Sequence, residues 1–213
     1  MFSATTFRWF DGLLNDNSKA YFVAHRADYD AHVVGPVLAL LRELAGEFGG
    51  EPHLFRPQRD TRFTPDKSPY KTTASGVLSG RPDPGEYYVQ VSASGFVAAT
   101  GYYSMSPAQL DRYRTALTDG AHAQEAGTEL RAVLEDLTAA GYDIRGEQLK
   151  TLPRGVARDT ANADLLRYKT LAVALDLSRA EAMTEQGALQ GTAALWRKAR
   201  PLLTWLNRHA GTP

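Results

Sequence analysis

The chain has 213 residues, 43% of them apolar, and its 24 lysines and arginines balance 24 aspartates and glutamates. That length supports one sizeable core, or at most two small ones, and zero net charge argues against a general nucleic-acid coat protein, which carries a positive excess. With no cysteine, a disulfide framework, a thiolate zinc site, an iron–sulfur cluster and a cysteine nucleophile are all excluded.

The start Met1-Phe2-Ser3-Ala4-Thr5-Thr6 lacks the basic opening and apolar run of a signal peptide. No apolar stretch approaches the ~20 residues a membrane span needs, so the expected setting is the cytoplasm, with no membrane partner. Thr6 is a candidate cap for a first helix carrying Phe7, Phe10, Leu13 and Leu14, broken at Asn15-Asp16-Asn17. Ser18 opens a longer helical stretch with Tyr21, Phe22, His25, Tyr29 and Val33 on one face. Gly35-Pro36 should kink or divide it. Val37, Leu40, Leu41, Leu44 and Phe48 continue the stripe until Gly49-Gly50 ends it.

His53–Arg59 reads as a short strand, and Gly80–Gly85 is a dense turn signal. Tyr87–Ser92 and Phe96–Tyr103, separated by Ala93-Ser94-Gly95, predict a hairpin. Adjacent tyrosines on a strand face opposite sides, so one of Tyr87/Tyr88 and one of Tyr102/Tyr103 should be core. Ser75-Gly76 reads as turn chemistry. Ser106-Pro107 starts a helix with Leu110, Tyr113 and Leu117 buried, and a second helix carries Leu130, Val133, Leu134 and Leu137 up to Gly141. Tyr142–Leu152 holds one or two short strands. Asp159–Arg167 reads as a short helix feeding a strand at Lys169–Leu175, and C-terminal helices offer Met183, Leu189, Trp196, Leu203 and Leu206 to the core.

Helices, strands, helices, a strand and helices in that order predict an α+β fold with an antiparallel or mixed sheet packed on one side by helices. The expectation is a single domain over 1–213, with a helical N-terminal region 1–50, a sheet-bearing centre 51–105 and a mixed helical C-terminal region 106–213.

One segment concentrates chemistry. Arg56–Lys71 carries five cations and two carboxylates in sixteen residues. Three prolines (Pro57, Pro65 and Pro69) stiffen it and lower the entropy of holding one geometry. Guanidinium forks engage phosphate or carboxylate bidentately and lysine adds a point charge, so Arg56, Arg59, Arg62, Lys67 and Lys71 are candidate anion ligands. Asp60 is a candidate orienting group, or a base if its pKa is raised, and Tyr70 a candidate hydrogen-bond donor. The competing reading is structural, with Arg59–Asp60 and Arg62–Asp66 as ion pairs pinning an irregular loop.

The pattern R-x-x-R-D-x-R-F followed by D-K-x-x-Y falls here on Arg56, Arg59, Asp60, Arg62, Phe63, Asp66, Lys67 and Tyr70. It resembles the signature of a widespread bacterial family described only as a domain of unknown function (2461). Asn15-Asp16-Asn17 with Tyr21-Phe22 is similar to that family's asparagine-rich turn and aromatic pair, where tryptophan usually comes first. Leu152-Pro153-Arg154-Gly155 and Leu166-Arg167-Tyr168-Lys169 resemble its later elements. The resemblance supplies no activity; it implies that Arg154 and Lys169 join the central cations as ligand-binding candidates.

His25, His32, His53, His122 and His209 form no metal-ligand spacing, and no nucleotide-loop or nucleophile-elbow motif occurs, so neither a metal nor a cofactor is expected. Three functions stay open: binding of, or catalysis on, an anionic small molecule, a non-enzymatic interaction or structural module, and, least supported, nucleic-acid binding.

Overall fold

The computed structural model describes residues 1–213 except 63, 82–84, 120–121, 157–158 and 212–213. Phe63 of the signature and the centre of the Gly80–Gly85 turn therefore lie outside the described residues. The fold is α+β. Helix α1 spans Ala4–Asn15, α2 Lys19–Ala24 and α3 Arg26–Tyr29; a π-helical turn Asp30–Val34 leads into α4, Gly35–Phe48. Strands β1 (Glu51–Leu54), β2 (Thr73–Ser79), β3 (Glu86–Ser92) and β4 (Gly95–Tyr102) follow. Next come α5 (Pro107–Thr118), α6 (Ala123–Ala139), β5 (Asp143–Arg145), a 3-10 turn Leu165–Arg167 and β6 (Leu171–Ser178). The chain closes with α7 (Arg179–Ala182), a π-helical turn Gln186–Gln190, α8 (Gly191–Lys198) and α9 (Arg200–His209).

The strands form a sheet in the order β1-β2-β3-β4-β6-β5. The pairs β1–β2, β2–β3 and β5–β6 run antiparallel. The chain resolves into two compact units, one of Met1–Arg81, Tyr88–Ala98 and Asp176–Ala194, the other of Pro82–Tyr87, Ala99–Leu175 and Leu195–Pro213. Among the described residues, no helix is long and apolar enough to cross a membrane.

The first unit is built on aromatic packing. Trp9 lies 4.7 Å from Tyr29, 5.1 Å from Phe10 and 5.8 Å from Phe22, centroid to centroid. Its indole N–H donates to the His25 carbonyl at 3.1 Å. Beside it, the Tyr21 hydroxyl donates to the Trp9 carbonyl at 3.0 Å and its ring stacks on His25 at 4.1 Å. The cap of α1 is Ser3 rather than Thr6. Thr6 is buried in the first turn, accepting from the Ser3 amide at 3.1 Å and donating to the His32 carbonyl at 2.6 Å. Leu14, expected in the core, is 56% exposed.

Pro36 falls in the first turn of α4, where its missing N–H costs nothing, and the π-helical turn before it takes up the irregularity expected at Gly35-Pro36. The apolar stripe of α4 packs on β1 and β2. Ser75-Gly76 is the middle of β2, not a turn: a side chain on Gly76 would stand 2.8 Å from the His53 carbonyl oxygen and 2.9 Å from Leu41, so glycine here permits close approach within a sheet. Arg179, at the start of α7, forks both oxygens of Asp11 at 2.8 and 2.6 Å and lies 5.6 Å over Phe7. Met183 is 37% exposed, and the small neighbours Ala182 and Ala188 are buried instead.

In the second unit α5, α6 and α9 pack together. Buried aromatic donors end on backbone carbonyls: Trp205 on Ala126 (3.0 Å), Trp196 on Ala99 (3.1 Å) and Tyr113 on Leu165 (2.9 Å). Asp159–Arg167 is not a regular helix. Only Leu165–Arg167 is helical, as a 3-10 turn, and Asn162 before it is buried with its amide nitrogen donating to the Leu117 and Ala123 carbonyls, both at 2.9 Å. Tyr87 and Tyr102 are core, at 3% and 1% exposure, whereas Tyr103 is 74% exposed.

Candidate functional site

The Arg56–Lys71 segment belongs to the first unit and extends the β1–β2 pairing into a long hairpin loop. Phe55 N–H donates to the Ser75 carbonyl at 3.0 Å, Lys71 N–H to Pro57 at 2.8 Å and Arg59 N–H to Pro69 at 2.9 Å, and Gln58 and Tyr70 form a bridge pair. From the first of these bonds to the second, one side advances from 55 to 57 while the other runs from 75 to 71. The surplus residues bulge out of the ladder and re-aim the neck.

The neck is fastened from a distance. The Asn17 side chain accepts from the Tyr70 N–H at 3.0 Å and donates to the Tyr70 carbonyl at 3.0 Å, acting like one residue of a neighbouring strand. Tyr70 itself is buried, its ring stacked on Phe22 at 4.1 Å and 7°. The family-like Asn15-Asp16-Asn17 turn is thus tied through its last residue to the base of the cationic loop.

Beyond the neck the loop folds on itself through two aspartate-nucleated turns. Asp60 Oδ1 accepts from the Arg62 amide at 3.2 Å, and its carboxylate takes the Arg62 Nε at 2.9 Å and Nη2 at 2.6 Å. Asp66 accepts from the Ser68 amide at 2.9 Å and pairs with Arg59. Lys67 Nζ donates to the Thr61 carbonyl at 2.8 Å. The ion pairs are therefore Arg59–Asp66 and Arg62–Asp60, an exchange of the partners that spacing suggested. An aspartate that caps its own turn two residues on holds its carboxylate over that turn, out of reach of the residue just before it.

None of this is sealed from water. The Arg62 side chain is 76% exposed and Asp66 52%. Arg56 is exposed and makes no hydrogen bond or ion pair among the described residues, although its charge helps hold Asp60 ionised. Lys71 rests 5.8 Å over the Phe55 ring.

Both carboxyls titrate low. The Arg62 guanidinium, then its amide, holds Asp60 below the usual carboxylate range. Ser68, through hydroxyl and amide, followed by Arg59, brings Asp66 from 3.8 to about 2. The condition under which Asp60 was to act as a base, a raised pKa, is thus reversed, because a bidentate cation favours the charged form. A carboxyl whose folded pKa is depressed stabilises structure above its unfolded value and loses that contribution as pH falls through the folded one. Order in the Asp66–Ser68 turn should therefore persist at pH 5 and be lost between about pH 4 and 2; protection of the Ser68 amide from hydrogen exchange reports it. Protection unchanged at pH 2 would show that the carboxylate does not hold the turn.

Arg154 and Lys169 fall in the second unit. Arg154 is exposed at the second position of a turn closed by Val156 N–H on the Pro153 carbonyl at 3.2 Å, with Gly155 at φ +86° as its third residue. Lys169 pairs with Glu147. Asn17 went unrecognised as a member of the loop's framework; the only sequence signal was its place in an asparagine-rich turn. Among the described residues no cluster of metal-ligating side chains occurs.

Against known proteins, a family model described as "Conserved hypothetical protein (DUF2461)" matches residues 5–205, a stretch containing the whole loop. No curated protein matches the chain.

Proposed function

Starting from the chain's membership of this DUF2461 family of conserved hypothetical proteins, we propose that the protein binds a small anionic molecule, without catalysis, on the exposed cationic surface of the Arg56–Lys71 loop. The observation that carries the reading is Arg56, an exposed guanidinium with no pairing partner among the described residues, at the neck of a loop whose five cations outnumber its two carboxylates. The internal ties of Arg59, Arg62 and Lys67 support preorganisation: they set the loop's shape before a ligand arrives, so little ordering cost remains. The depressed Asp60 and the stacked, buried Tyr70 support binding over proton transfer. With balanced net charge, the proposed partner is a small molecule rather than a nucleic acid, and the proposed setting is cytoplasmic.

A second reading, in which the loop is a strut, draws on the same three ties, since each closes the loop upon itself. Titration with pyrophosphate, followed by amide and arginine Nε–H NMR shifts, separates the two. Binding predicts saturable shifts at Thr61, Arg62 and Arg56, weakened about tenfold in Arg56→Gln by loss of a charge-assisted contact. No saturable shift, or equal affinity in the variant, would overturn the binding reading and leave the strut.

A further inference from the structure

The second unit contains a cleft of about 660 Å3 between the Lys150–Val156 segment and the Ala163–Arg167 segment. From its lining residues we infer a further binding site, for a small molecule with an anionic head and a short apolar body. The inference is independent of the loop.

The charges in the cleft are compensated unequally. Arg167 is held by neutral dipoles: its Nε donates to the Leu149 carbonyl at 2.9 Å and its Nη2 to the Lys150 carbonyl at 3.1 Å. Those carbonyls fix the guanidinium plane without cancelling its charge. The carboxylate in the lining, Asp164, is already occupied. Arg131 takes both its oxygens, at 2.7 and 3.3 Å, and holds it below the usual range. Lys150 is exposed, and neither it nor Arg167 forms an ion pair among the described residues. Among the described residues the cleft thus keeps two cations without an ion pair, Lys150 and Arg167, and Thr151 also lines it.

The remaining wall is apolar. Leu152, Pro153, Val156 and Ala163 line it half-buried. The turn at Gly155 returns the chain so that Pro153 and Val156 stand near each other, and backbone pairing holds the other side: Leu149 N–H donates to the Arg167 carbonyl at 2.8 Å and Lys169 N–H to Glu147 at 2.7 Å. Cations beside half-buried apolar side chains in an open cleft of this volume fit a small ligand that carries both an anionic and an apolar part. A fixed guanidinium and a mobile ammonium suit a carboxylate or a phosphate monoester equally. Arg154 is absent from this lining, whose cations among the described residues are Lys150 and Arg167.

The test titrates the full chain with hexanoate, hexyl phosphate and inorganic phosphate, following amide shifts at Thr151, Ala163 and Arg167. One or both hexyl probes should saturate and bind at least about tenfold more tightly than phosphate, since a short alkyl chain adds several buried methylenes; which of the two is tighter identifies the head group. Lys150→Gln, whose side chain carries no structural tie, should weaken binding about tenfold, and Val156→Glu, which puts a like charge into the cleft, should abolish it. Absence of saturation by both hexyl probes, phosphate binding as tightly as they do, or undiminished affinity in a Lys150→Gln protein with native amide dispersion would each overturn the assignment.

Discussion

Replacing Trp9 with alanine is expected to destabilise the first unit by about 3–5 kcal/mol, the range for emptying a buried aromatic site. Trp9 is 4% exposed and touches Phe10, Tyr21, Phe22 and Tyr29 at once, so neighbours cannot collapse inward without abandoning one another. The indole also satisfies the His25 carbonyl, at the junction of α2 and α3. The effect should reach the loop, because Phe22 is the ring on which Tyr70 stacks. Thermal unfolding should shift down by about 6–20 °C for a chain of this size, and the Asn17 and Tyr70 signals should move even under native conditions. Trp9→Phe separates packing from hydrogen bonding: it keeps much of the ring contact and should cost about 1–2 kcal/mol. If Trp9→Ala melted within a degree of the parent, the aromatic nest would not be what organises this unit.

The second large effect reverses a propensity rule. Gly127 lies within α6, where alanine ordinarily gains about 1 kcal/mol over glycine. Here Gly127→Ala should instead lose about 1–3 kcal/mol by overpacking. A β-carbon at 127 would stand 2.0 Å from Asn162 Oδ1 and 2.7 Å from its Nδ2. Asn162 cannot step aside without releasing the Leu117 and Ala123 carbonyls, which it joins between the end of α5 and the start of α6. A double-mutant cycle decides the mechanism. In an Asn162→Ala background the obstruction is gone, and Gly127→Ala should become neutral or stabilising. Additive losses in urea unfolding would place the cause elsewhere.

What could be read in advance followed from local periodicity. The stripe of α4 and the division of each adjacent tyrosine pair between core and outside rest on spacing alone, though spacing did not say that Tyr87 and Tyr102 would be the buried members. Ser75-Gly76 misled because serine and glycine are turn residues by composition, while the reason for glycine, an approaching His53 carbonyl and Leu41 side chain, is tertiary. Asp159–Arg167 misled in the opposite sense. Its apolar spacing suits a helix, but the asparagine in its middle is spent on bridging two other helices.

The loop was recognisable as a cluster and its wiring was not. Alternation along an extended chain says which face a side chain takes; it says nothing of an aspartate that turns back onto its own following amide. Nor can spacing reveal that Asn17 clasps Tyr70, a contact spanning 53 residues. Grouping Arg154 and Lys169 with the loop followed family likeness. Both fall in the second unit, where Lys169 pairs with Glu147; of the cations that line the cleft there, Lys150 belongs to no motif and Arg167 stands in the Leu166–Lys169 element.

The sheet's outermost strands carry a last implication. In β1 the bonds to β2 fall on the odd-numbered residues, as the Phe55–Ser75 contact continues, so the Pro52 position points its missing donor outward. At the opposite border β5 is three residues long, with Asp143 and Arg145 exposed. A foreign strand seeking to lengthen the sheet would meet an absent amide at one margin and a short charged stub at the other. Concentrated protein should accordingly resist fibril growth by edge recruitment, although its sheet has six strands.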